Sequence, residues 1–107
     1  MKLIIAIVDR EDAGAVTRAL TRAGFSSTRL ATTGGFLGSD NATILVGVDA
    51  ERVQAALSVI KSEAHARKHV VPVGVDAAYG YHPATPVEIT VGGATMFVVD
   101  VEHFERI

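Results

Sequence analysis

Two short runs carry the side chains that could hold a ligand. Thr32-Thr33-Gly34-Gly35-Phe36-Leu37 sets two adjacent glycines beside an aromatic residue. Paired glycines let the backbone turn freely and bring N–H groups close to a ligand. The neighbouring ring could stack on a base or fill a pocket. Ser26, Ser27, Thr28 and Arg29 come just before this run. Three hydroxyls and a guanidinium on one strand could take a phosphate or a ribose. Alternation divides them, with Ser26 and Thr28 on one face and Ser27 and Arg29 on the other. A loop with Phe36 packed inward, followed along the chain by no special chemistry, and a strand with Ser and Thr facing water are the plainer readings.

Other chemistry is poorly supported. His65 and His69 have the i, i+4 spacing of a helical metal pair. No acidic third ligand follows in register, Arg67 and Lys68 lie between them, and a solvated helix end explains them better. His82 and His103 bring no partner. The absence of cysteine excludes a disulfide framework, a thiolate metal site and a cysteine nucleophile. There is no G-x-S-x-G and no phosphate-loop lysine motif. The acidic residues Asp9, Asp49 and Asp100 fall where helix capping accounts for them. The expectation is a binding protein, not an enzyme, with no metal and no cofactor.

The elements that must position these residues follow from periodicity. Leu3 to Val8 is a continuous apolar run and reads as a buried strand. Asp9 is a candidate N-cap, with Asp12 in a capping-box-like position. Ala13, Val16, Leu20 and Ala23 recur at helical spacing over residues 10–23, and Gly24 stands where a helix-ending glycine belongs. Phe25 to Thr33 reads as a second strand ending in a Gly-rich loop through Asn41. Ala42 to Val48 is a third strand. Asp49 then caps a helix whose buried face is Val53, Leu57, Ile60 and Ala64. Val70 to Val75 is a short strand, and Asp76 to Pro86 a longer loop with two tyrosines. Val87 to Val91, the turn signal Gly92-Gly93 and Ala94 to Val99 predict a hairpin. Asp100 is placed to cap a last helical turn through Phe104.

A faint repeat at an offset of 40 aligns Val8-Asp9 with Val48-Asp49 and Leu20 with Ile60. Two strand–helix units, each followed by a strand, give an α+β, ferredoxin-like βαββαβ core with an added C-terminal hairpin and short terminal helix.

Composition fits one domain over residues 1–107. A formal charge of −2 argues against a dedicated nucleic-acid binder, which would show a basic face. The apolar start is cut off by Asp9-Arg10-Glu11-Asp12, too short for a signal peptide or a membrane span, so a soluble cytoplasmic protein with no membrane partner is expected. Nearly half the residues are apolar, yet only 6% are aromatic. Ala and Val make up the difference, and a core of small side chains hints at further burial between subunits.

Several segments together resemble one family. Leu30-Ala31-Thr32-Thr33-Gly34-Gly35-Phe36-Leu37, Asn41, Gly47-Val48, Arg52-Val53, Leu57-Ser58-Val59-Ile60 and Val91-Gly92-Gly93-Ala94-Thr95-x-Phe97-Val98 look like the PII-like cyclic-di-AMP receptor family. The opening Lys2-x-Ile4-Ile5-Ala6-Ile7-Val8 fits as well, and only residues 63–85 match poorly. The resemblance implies a PII-like homotrimer that binds cyclic di-AMP in clefts between subunits and signals to a downstream protein without catalysis. Ligand binding would order segments 34–41 and 76–86. The alternative is a PII-like trimeric scaffold that binds another nucleotide or none.

Carried over by position, Thr28 looks like a phosphate or ribose contact. Gly35, Phe36 and Leu37 look like the loop that covers an adenine. Asn41 looks like the adenine reader, because its amide both donates and accepts. Gly47 matches a close approach of backbone to ligand, and Phe97 an apolar wall for the base. The family commonly has arginine where this chain has Ser26, and glutamine where it has Arg106. A guanidinium lost at Ser26 could be restored at Arg106, or the two changes could mark a different ligand.

Overall fold

The computed structural model describes residues 1–30, 40–73 and 85–107, the side chains of residues 71–73 and 85 excepted. The β-branched run near the start forms β1, Lys2–Asp9. α1, Arg10–Arg22, follows without a loop. Its first turn is satisfied locally: the Asp9 carboxylate accepts from the Glu11 N–H at 3.0 Å, and the Arg10 N–H donates to the Asp40 carbonyl at 2.8 Å. The far end closes with the Ala23 N–H on the Ala19 carbonyl and the Phe25 N–H on the Leu20 carbonyl. Gly24, at φ +86°, makes that reversal possible. Val16 and Leu20 are buried as their spacing predicts.

β2, Ser27–Leu30, and β3, Asn41–Val48, come next. A 3-10 turn at Ala50–Arg52 leads into α2, Val53–Ala64. The remaining strands are β4, Arg67–Val73, β5, Thr85–Val91, and β6, Ala94–Asp100. One sheet has the order β2-β3-β1-β6 and is antiparallel throughout; β4 and β5 form a separate two-stranded ribbon. Two strand–helix units and the order of the sheet make this an α+β, ferredoxin-like arrangement, with β6 in the outer position next to β1.

Register sorts the sheet into two faces. Ile4, Ala6 and Val8 of β1, with Ala42, Ile44, Val46 and Val48 of β3, pack with Val16 and Leu20 of α1 and Ala56 and Ile60 of α2 into one core. The alternate residues form the other face: Leu3 opposite Gly47 and Val99, and Ile5 opposite Leu45 and Phe97. Phe97 and Val99 are each more than two-fifths exposed, so this face is apolar and open. The Cα radius of gyration is 18.1 Å, against roughly 13 Å for a compact chain of this length, because the ribbon strands pack chiefly on each other.

Several local expectations need correction. Gly92 and Gly93, at φ +78° and +88°, do join β5 to β6, but the two strands belong to different sheets and form no hairpin. β6 instead pairs along β1, where Val98 meets Ile4 and Met96 meets Ala6, giving its apolar side chains a packed neighbour. The fourth strand starts at Arg67 and leaves the main sheet to pair with β5. No helical turn follows Asp100, whose carboxylate binds the Lys2 ammonium and so does not cap a helix. Asp49 makes no side-chain cap bond, because a 3-10 turn intervenes. His69 lies in β4 and His65 ends α2, so the two do not form a pair along one helix.

Asp12 also has a different task. Its carboxylate, nearly buried, accepts from Nη2 and Nη1 of Arg67 at 2.8 and 3.2 Å. Arg67 Nη1 donates as well to the His65 carbonyl at 3.3 Å. The hydrogen bond and charge of Asp12 raise the guanidinium pKa further, so Arg67 stays charged at any physiological pH. It fastens the start of β4 to α1. Gly92 sits against the same group: a side chain there would meet the His65 carbonyl at 2.7 Å.

Candidate ligand cleft

The open face of the sheet carries a cleft of about 490 Å³, within the roughly 300–1,000 Å³ of small-molecule sites. Its floor is the row of Leu3, Leu45 and Gly47 on β1 and β3. Ser26 and Thr28 form the side along β2. The opposite side is the C-terminal tail after β6, which contributes Val101, Phe104 and Arg106. Two contacts hold the tail at its root: the Val101 N–H donates to the Met1 carbonyl at 3.2 Å, and Lys2 Nζ binds Asp100. That ion pair keeps the Asp100 carboxyl below its ordinary pKa, first through the Lys2 hydrogen bond and then through the Lys2 charge.

Chemically, the cleft offers hydroxyls, one guanidinium and apolar floor and walls. Ser26 and Thr28 face it because alternation along β2 puts Thr28 opposite Leu45 on the open side. Gly47 leaves the floor bare, since a Cβ there would meet nothing within 4 Å. Arg106 is the charged residue of the lining. A second guanidinium lies next door. Arg52 stacks on Phe25, 4.2 Å from the ring centroid, and donates to the Ala23 carbonyl at 3.3 Å. It lines a hollow of about 220 Å³ that shares Met1, Ser26 and Gly47 with the cleft. Such a set suits a small anion with flat apolar parts.

Four of the ten residues singled out from the sequence, Ser26, Thr28, Gly47 and Arg106, therefore meet at one cleft. Phe97 is in the same row of the open face as Thr28, Leu45 and Ile5, on the strand next to Ile5, and is exposed. Ser27 is opposite Val46, on the helix side of the sheet, and does not reach the cleft. Asn41 shares the open-face parity of Gly47 but stands six residues away, roughly 20 Å along the strand. It lines a second hollow, of about 310 Å³, with Asp9, Gly92, Gly93 and Thr95. Gly35, Phe36 and Leu37 lie outside the described residues. So does His82. Among the described residues, no group of three or more His, Asp or Glu is placed to hold a metal ion.

Sequence reasoning missed Phe104, Leu45 and the tail as a wall.

The sheet, the cleft and its donors make a small α+β fold whose open face offers the chemistry to suit an anionic, ring-bearing molecule. The family model described as cyclic-di-AMP receptor matches residues 1–107, and the chain belongs to that family. It is also similar to the crystal structure of a functionally unknown protein from Pediococcus pentosaceus, with a TM-score of 0.76 and 37% identity over 99% of this chain and 96% of that one. No helix among the described residues is long and apolar enough to cross a membrane.

Proposed function

We propose that the protein is a non-enzymatic receptor that binds cyclic di-AMP in clefts between the subunits of a homotrimer. The observation that carries this reading is the meeting of Ser26, Thr28, Gly47 and Arg106 at one cleft of nucleotide size. In this reading Arg106 holds a phosphate as a charge-assisted hydrogen-bond donor, and the two hydroxyls take phosphate or ribose oxygens. Gly47 lets the ligand lie on the backbone. Phe97 supplies an apolar wall, and Asn41 reads an adenine edge.

The trimer is supported by the open apolar face. Leu3, Ile5 and Leu45 are partly covered, and Phe97 and Val99 are exposed. A second subunit on this face would remove them from water. The same arrangement deals with the distance between Asn41 and Gly47, because one dinucleotide need not take both from one subunit. Residues 35–37 would then close over the base, and ordering of segments 34–41 and 76–86 would present an altered surface to a downstream protein.

Calorimetry against cyclic di-AMP, cyclic di-GMP, ATP and ADP tests this. Tight binding of cyclic di-AMP alone is expected, weakened at least ten-fold in Arg106→Ala. Binding of none of the four would favour a ligand-free scaffold. Wild-type affinity in Arg106→Ala would remove the guanidinium from its proposed place.

A further inference from the structure

The geometry points to Phe104 as a base-stacking residue of the cleft, with the C-terminal tail as its purine-recognising wall. This rests on the receptor reading above and adds a residue to it. Phe104 lines the same cleft as Ser26, Thr28, Gly47 and Arg106. Phe104 is 61% exposed, the most of any phenylalanine described, and it lines the cavity. The tail has no regular secondary structure of its own that would require an aromatic at this position.

The root of the tail is nevertheless fixed. Val101 is hydrogen-bonded to Met1, and Asp100 is paired with Lys2. Those contacts hold Phe104 only three residues downstream. Arg106 follows two residues later and lines the same cavity. A ring that stacks on a base and a guanidinium that takes a phosphate, two residues apart and lining one cavity, fit a single nucleotide half of the ligand.

Two variants test the assignment with cyclic di-AMP as the probe. Phe104→Ala should bind about ten-fold more weakly by calorimetry, the loss typical of one base–aromatic stack, while its oligomeric mass stays that of wild type. Phe104→Trp provides an independent readout, since the chain contains no other tryptophan. Its emission should be quenched or shifted as cyclic di-AMP saturates the protein. If wild type binds and Phe104→Ala binds equally well, the assignment is overturned and the receptor reading survives. If wild type itself does not bind, the receptor reading is what fails. Should Phe104→Ala dissociate or misfold, Phe104→Trp decides: emission unmoved by saturating cyclic di-AMP overturns the stacking role.

Discussion

Replacing Gly47 with valine should separate the stability of the fold from the capacity of the site. Gly47 is a strand residue of β3 on the open face, outside the positive-φ region that would demand glycine. A Cβ there would touch nothing within 4 Å. The backbone therefore accepts a side chain, and a β-branched one suits a strand. Glycine inside a strand is less stable than a residue with a side chain by about 0.5–1 kcal/mol. Gly47→Val should recover that amount and raise the melting temperature by about 2–8 °C for a chain near 100 residues. Binding should move the other way. The new isopropyl group would occupy the floor of the cleft beside Leu3. A ligand displaced from close contact with the backbone should lose at least about 1.4 kcal/mol, a ten-fold weaker dissociation constant. Calorimetry with cyclic di-AMP and melting curves at matched protein concentration measure both. A variant that is more stable and still binds like wild type would refute the placement of ligand over Gly47. A destabilised variant would mean that the space above Gly47 is occupied in the assembled protein.

Three further outcomes follow from the same geometry. Gly92→Ala should destabilise the fold by about 1–2 kcal/mol in urea titration, because alanine must adopt a left-handed conformation beside the His65 carbonyl; an unchanged midpoint would mean the turn is not fixed. The Asp100 pKa is lowered by Lys2 in the folded state, so the pair contributes above the ordinary aspartate value and the contribution fades as pH falls through the lower, folded one. Wild type should accordingly melt above Asp100→Asn at pH 7, with the gap closing below about pH 4; a gap that persists at pH 2 would contradict the pairing. Saturating cyclic di-AMP should slow amide exchange in residues 34–41 and 76–86, and unchanged exchange in both would sink the loop-ordering part of the proposal.

Much of the framework can be read directly from periodicity. Val16 and Leu20 announced the buried stripe of α1, and the apolar runs before Asp9 and Asp49 announced β1 and β3. Local signals failed where a distant partner decided the outcome. Gly92-Gly93 has the composition of a hairpin turn, yet β6 gains more by lying along β1, and β5 by pairing with β4. Asp12 looked like part of a capping box, but Arg67, 55 residues away in sequence, takes its carboxylate. Asp100 looked like a helix cap, and Lys2, at the other end of the chain, takes it instead.

The site shows the same division. Alternation separated Ser27 from Ser26 and Thr28 correctly, since the strand period alone decides that. The meeting of Arg106 with Ser26 and Gly47 depends on how the tail returns over the sheet, which no local pattern encodes. Phe104 was missed for that reason: assigned to a helical turn, it had no cleft to face.

Native mass spectrometry with cyclic di-AMP tests the central claim most directly. Three chains of 11.2 kDa should appear as one species of about 34 kDa that takes up as many as three dinucleotides, with none retained by the Arg106→Ala, Gly47→Val double variant. A monomer, or a trimer that stays empty at saturating cyclic di-AMP, would contradict the account.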